Sequence, residues 1–169
     1  MTRAVTHTHK PLGKLNTIET REPSGAINTV AEDEYVQIDV YVDSGATETV
    51  MSENTLAGVI DITEGPPMKR GVMYEVANGV NIPNLGERKF LGCTAEGGQR
   101  GMTAQICAVN KTLMSVSQVA AQGNRVVFDG EGSYIEDKAS GERLWMEEVG
   151  GMYMLKMWVS RKSTKDAGF

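Results

Sequence analysis

Val36-Gln37-Ile38-Asp39-Val40-Tyr41-Val42-Asp43-Ser44-Gly45-Ala46 is the stretch on which the fold of this chain turns. Val36, Ile38, Val40 and Val42 alternate with Gln37, Asp39 and Tyr41. Period two in β-branched residues predicts a strand buried on one face. The strand runs straight into Asp43-Ser44-Gly45-Ala46, so a carboxylate stands where a buried strand turns sharply. Ser44 is able to hydrogen-bond within that turn. Gly45 lets the backbone reverse and another group come close, and Ala46 keeps the loop tight. Such a loop holds a carboxylate rigidly with its outer oxygen exposed. Taken alone, the tetrapeptide is more commonly an Asx turn that closes a strand.

Outward from this stretch the pattern stays β. Thr49-Val50-Met51 forms a second apolar step, and Gly65-Pro66-Pro67 forces a turn, because proline removes ladder donors. Val72, Tyr74 and Val76 lead to Asn78-Gly79, with Val80 and Ile82 beyond. Asn-Gly is a strong hairpin signal, since both residues tolerate positive φ. Phe90-Leu91 and Met102 to Val109 read as strands about a turn at Glu96 to Gly101. Leu113, Val116, Val119 and Ala120 fall at helical spacing, with Thr112 as the expected cap and Gly123 as the stop. Strands return at Arg125 to Phe128 and Ser133 to Ile135, and turns at Ser140-Gly141 and Gly150-Gly151 follow. Tyr153, Leu155, Met157 and Val159 alternate on a last strand that also carries Met152, Met154 and Trp158 on its other face. Apolar residues on both faces imply burial on both sides. The expectation is a mainly β chain with one short helix: a leader over residues 1–30, a domain over 31–160 and a polar tail over 161–169.

Composition removes whole classes of function. The chain has 169 residues, 40% of them hydrophobic, which suffices for a core without disulfide or metal staples. Seventeen Lys and Arg against 22 Asp and Glu leave a net charge of −5, a poor balance for gripping a phosphate backbone, so no nucleic-acid partner is expected. Nor is a membrane span, since no apolar run reaches the length required. Met1 to Lys10 has no apolar stretch, so no secretory signal is read there. His7 and His9 are the only histidines, and Cys93 and Cys107 the only cysteines. Four close-set zinc ligands are not available to the core, and a nucleophilic triad would need a histidine from the leader. No metal or cofactor is expected. Two reduced, partly buried cysteines point to an intracellular, cytoplasmic protein.

Val40 to Met51, read whole as Val-Tyr-Val-Asp-Ser-Gly-Ala-Thr-Glu-Thr-Val-Met, resembles the active-site strand and loop of retropepsins, the retroviral-type aspartic proteases. Their pattern is an apolar strand, Asp-Thr/Ser-Gly-Ala, two variable residues, then Thr/Ser and a hydrophobic residue. Val76-Ala77-Asn78-Gly79, Ile82 and Leu85-Gly86 resemble the flap region of retrotransposon proteases. Leu113-Met114-Ser115-Val116-Ser117-Gln118-Val119, followed by Gly123 and Val126-Val127-Phe128, resembles a block of copia-type retrotransposon polyproteins. Gly151-Met152-Tyr153-Met154-Leu155 is similar to the element that follows that block. The resemblance spans residues 36 to 159. It departs from the retroviral pattern at Leu113-Met114-Ser115, where a hydrophobic-hydrophobic-Gly step is usual, and the Gly-rich stretch Gly92 to Thr103 leaves its strands without a clear register.

The resemblance implies a retropepsin-like closed β-barrel or sandwich with a flap hairpin and a C-terminal β extension. It implies Asp43 as the catalytic residue, Ser44, Gly45 and Ala46 as its loop, and Ala77, Asn78 and Gly79 as a flap over a polypeptide substrate, the parent polyprotein. Ser44 would orient the loop and not act as a nucleophile. Aspartic proteolysis needs two carboxylates sharing a proton, and one Asp-Ser/Thr-Gly loop is present. The second carboxylate must then come from a second copy of the chain in a C2 homodimer. A non-catalytic dimerisation or peptide-binding module of the same fold is the alternative, and an inactive structural fragment of a polyprotein a second. An ordinary exposed hairpin is as good a reading of Asn78-Gly79, and Glu48 reads as a surface charge.

Overall fold

The alternating stretch forms a strand, β1 (Tyr35–Asp43), with Ile38, Val40 and Val42 buried and Gln37 and Asp39 exposed. The computed structural model describes residues 34–162. The expected leader, residues 1–30, lies outside the described residues, as do His7, His9 and residues 163–169 of the tail. The chain is mainly β. After β1 come β2 (Val50–Met51), α1 (Pro66–Lys69), β3 (Met73–Glu75), β4 (Asn81–Pro83), β5 (Glu87–Thr94) and β6 (Gln99–Ile106). Then follow β7 (Thr112–Ser115), α2 (Val116–Ala121), β8 (Asn124–Val127), β9 (Ser133–Asp137), β10 (Arg143–Val149) and β11 (Met152–Ser160).

Nine strands form one sheet in the order β1-β7-β2-β6-β5-β11-β10-β9-β8, and β1 also pairs with β11. The pairings therefore return to their start through six strands. Strand β7 lies between β1 and β2, which follow each other in the chain but do not pair. It runs parallel to β1, from Val40 opposite Thr112 to Asp43 opposite Ser115, and antiparallel to β2, with Val50 opposite Leu113. Strand β11 runs antiparallel to β1, to β5 and to β10. The core fills the ring with Val40, Met51, Phe90, Ile106, Met157 and Val159 among others, and continues under β9 and β10 through Ile135, Leu144 and Met146. Burying each such side chain is worth about 1.5–3 kcal/mol. Alternating apolar residues from the strands of the large sheet supply that core, and β3 and β4 add none to it.

Several expectations need correction. There are two short helices among the described residues, not one: Pro66 and Pro67 open a single turn, where proline at the first helical positions removes no needed donor. Thr112 does not cap α2; it starts β7. Leu113 is also a strand residue, facing Tyr41 and Val50. The helix starts three residues later than its spacing implied, capped by Ser115, whose side chain accepts from the Gln118 N–H at 3.3 Å. Strand and helix abut without a loop, so apolar residues of one fell by chance into phase with the other. Gly123 does end the helix, at φ 88°. Strand β6 stops at Ile106, short of Val109. The face of β11 bearing Met152 and Trp158 is half-buried, with Met154 buried. Cys93 and Cys107 are both free thiols.

Candidate active site

Asp43 ends β1, where the ladder with β7 stops at Ser115. Its Oδ1 accepts the Gly45 N–H at 2.8 Å. That bond is an Asx turn, and it aims one carboxylate oxygen into the loop while the side chain stays half-buried. A Cβ on Gly45 would sit 3.3 Å from the same oxygen, so the residue's smallness permits the close approach. Ser44 and Gly45 are exposed and Ala46 is half-buried.

The loop is held from behind by residues that the sequence reading did not assign. Ser115 Oγ donates to the Ala46 carbonyl at 2.8 Å, and the Ser115 N–H donates to Thr49 Oγ1 at 3.1 Å. Gln118 Oε1 accepts the Thr49 N–H at 3.3 Å. Ser115 and Thr49 are buried, where hydrogen bonds fix geometry because unmet groups are costly. The hydroxyls bonded behind the loop are those of Ser115 and Thr49, while Ser44, expected to orient it, is exposed. The available signal was Ser115-x-x-Gln118, which has the form of a capping box. Its serine caps α2, but its glutamine reaches across to the Asp43 loop instead of back to its own helix.

A cleft of about 800 Å³ opens beside Asp43. Leu113, Cys107, Val109 and Met152 give it apolar walls, and Lys111 and Glu53 stand on it with opposite charge. Lys111 Nζ lies 4.8 Å above the Tyr41 ring and 3.6 Å from the Met152 sulfur, which anchors the loop before β7 against β1. Burial pushes the Cys107 thiol up to about 11, so it lines the cleft as a neutral group. A second cavity, about 540 Å³, is lined by α2 and the sheet, with Thr49 and Gln118 in its wall.

Val76 also lines the Asp43 cleft. It stands at the tip end of the β3–β4 hairpin, just before the turn; the hairpin is a two-stranded sheet separate from the other nine strands. Ala77, Asn78 and Gly79 form the tip; all three are exposed, and they do not line the cleft themselves. The turn is not the two-residue one that Asn-Gly suggests. Val76 N–H donates to the Val80 carbonyl at 2.9 Å and Gly79 N–H to the Val76 carbonyl at 2.8 Å, so three residues are spanned. Only Gly79 takes positive φ, 80°, while Asn78 Oδ1 accepts the Val80 N–H at 3.1 Å. This is the arrangement of a three-residue hairpin with glycine at its bulge.

Glu48 is not a free surface charge. Its Oε2 accepts the hydroxyl proton of Tyr74, on β3, at 3.0 Å. Burial, with Glu48 adding to it, pushes the Tyr74 phenol up to about 12, against the opposing bond from Asn84. Arg88 went unassigned in the sequence; it is buried in β5 and donates to the carbonyls of Ile60, Ser52, Thr55 and Glu53. It thereby fixes the segment between β2 and α1, whose Ser52 and Glu53 border the cleft. Arg161 and Lys162, expected in a solvated tail, are exposed; the Arg161 backbone N–H donates to the Glu34 carbonyl at 2.7 Å, and Lys162 pairs with the Glu34 carboxylate. Among the described residues no group of three or more His, Cys, Asp or Glu is placed to hold a metal ion, and no helix is long and apolar enough to cross a membrane. Comparison of the chain with protein-family models, with curated proteins and with solved structures finds no match.

Proposed function

We propose that this chain is an aspartic endopeptidase of the retropepsin type, active as a homodimer and cutting polypeptides, its parent retrotransposon polyprotein among them. One observation carries the reading: Asp43 closes a buried strand beside the inserted strand β7, and it borders a cleft that Val76, at the tip end of a separate hairpin, also lines. The closed circuit of six strands is compatible with the barrel that the sequence resemblance implies. A cleft of about 800 Å³ is wide enough for several residues of an extended peptide, and its apolar walls favour apolar side chains there.

The chemistry needs a second carboxylate. One Asp-Ser-Gly loop is present in the sequence, so the dyad forms when a second copy brings its own Asp43 across a two-fold axis. Two adjacent carboxylates cannot both ionise freely and come to hold one proton between them. The ionised member takes a proton from a water as that water attacks the scissile carbonyl, while the protonated member donates to the carbonyl oxygen. The Gly45 N–H, already bonded to Asp43 Oδ1, keeps each carboxylate in orientation through that exchange. Exposed Ser44 lies where the two loops would meet. The hairpin tip, Ala77 to Gly79, would descend on bound peptide from above.

The test is Asp43→Asn, which preserves shape and the acceptor for Gly45. Cleavage of an unfolded protein substrate should be lost, by at least about a thousandfold, with unfolding midpoint unchanged within about 0.5 kcal/mol. Equal cleavage by parent and variant would refute the assignment. A parent that dimerises but cuts nothing would establish the non-catalytic module instead.

A further inference from the structure

Tyr74 carries the hydrogen bonds that join the Met73–Pro83 hairpin to the rest of the chain among the described residues. Its hydroxyl donates to Glu48 Oε2 at 3.0 Å and accepts from Asn84 Nδ2 at 2.9 Å. Asn84 Nδ2 donates also to Gln105 Oε1 at 2.8 Å, and Gln105 Nε2 to Glu87 Oε2 at 3.2 Å. Asn84 Oδ1 accepts the Gly86 N–H at 2.8 Å. Asn84, Gln105 and Glu87 are buried. A continuous chain of hydrogen bonds therefore links the core, one flap residue and the segment that carries Asp43, with donation running outward from Asn84 in both directions. Both ends of the chain rest on a carboxylate, Glu87 and Glu48, which makes those two bonds the stronger kind.

Without this chain the hairpin is loosely held. Its two strands pair only with each other, and its root is closed by a single backbone bond, from Asn84 N–H to the Val72 carbonyl at 3.0 Å. Met73 and Val80 are about half exposed, at 51% and 52%, so little apolar burial holds the hairpin down. An element with few packed contacts and few anchoring bonds opens easily. The Tyr74 hydroxyl is then what relates the height of the hairpin to the position of the Asp43 loop.

We propose that Glu48 and Tyr74 are positioning residues that latch the hairpin over the Asp43 cleft, and that the latch sets how firmly a peptide is gripped. The purpose rests on the protease reading above; the latch itself does not. Its test is amide hydrogen exchange on the full chain without substrate, for the parent, Tyr74→Phe, Glu48→Ala and Glu48→Gln. Tyr74→Phe and Glu48→Ala should speed exchange at the Val76 and Gly79 amides about tenfold, the effect of losing one charge-assisted hydrogen bond. Amides of β5 and β6 should be unmoved. Glu48→Gln keeps an oxygen acceptor and should restore protection to within about threefold of the parent. In peptide cleavage, Tyr74→Phe should raise KM about tenfold while kcat stays within about twofold, because the closed hairpin is less populated before substrate binds. Unchanged exchange at the hairpin, or acceleration spread over the whole sheet, would overturn the latch. Altered hairpin exchange in a protein whose parent form cleaves nothing would uphold the latch and overturn the protease.

Discussion

Arg88 shows what a single buried charge does in this molecule. Its guanidinium caps four carbonyls of one loop segment and makes that segment a fixed border of the cleft. Desolvation lowers its pKa from the ordinary value, with Asp61 and Glu53 opposing. Arg88→Met fills similar space but leaves those carbonyls unmet. It should destabilise the fold by about 3 kcal/mol, seen as a lower urea midpoint at unchanged slope. Cys107 allows a test by pH. Its thiol is raised from 9.0 to about 11 by burial. Below pH 9.0 the thiol is neutral in folded and unfolded chains alike, and its contribution is complete. As pH rises from there toward about 11 the unfolded chain loses the proton first, so stability falls across that window. Cys107→Ala should show a smaller alkaline loss than the parent when urea midpoints are compared on either side of it. Equal losses would remove the thiol from the account.

The elements that matter most are two that abut, β7 and α2. Ser115 belongs to both: it ends the ladder with Asp43 and caps the helix. Its Oγ serves the Gln118 N–H, the Ala46 carbonyl and the Ser117 hydroxyl. Ser115→Ala should cost about 1 kcal/mol as a lost cap. It should cost activity more steeply, about tenfold in kcat, because the Asp43 loop loses its rear anchor. Measuring both in one preparation separates the roles, since a purely structural serine would move stability alone. The retroviral pattern has glycine at this step. Here a hydroxyl occupies the position and bonds the loop directly. This departure was visible in the sequence, but its consequence was not, because the partner carbonyl at Ala46 lies 69 positions away.

At the scale of the whole molecule, β11 determines the architecture. It pairs with β1, β5 and β10, so the last strand closes the ring that the first one opens and carries the β8–β10 extension outward. On the protease reading proposed above, each chain supplies half a dyad and activity belongs to the pair. Cleavage rate should rise with the square of concentration when the dimer is sparsely populated. Adding Asp43→Asn protein in threefold excess to a fixed amount of parent should lower activity through mixed dimers. An activity strictly proportional to parent concentration, untouched by the added variant, would require a complete site within one chain.

Local order along the chain determined much of this protein. Alternation from Val36 to Val42, the turns at Asn78-Gly79 and Gly150-Gly151, and the stop at Gly123 were written in neighbouring residues, since backbone conformation and one-sided burial act over a few positions. The Asp43 loop and the hairpin could likewise be named from short patterns. What tertiary structure alone decided was which distant groups meet. The insertion of β7 between β1 and β2, the Ser115 and Thr49 bonds behind Asp43, the Glu48–Tyr74 link and the Arg88 cap all join residues far apart in the chain. Pairings of that kind depend on register and on the satisfaction of buried polar groups, and neither leaves a periodic trace in the sequence.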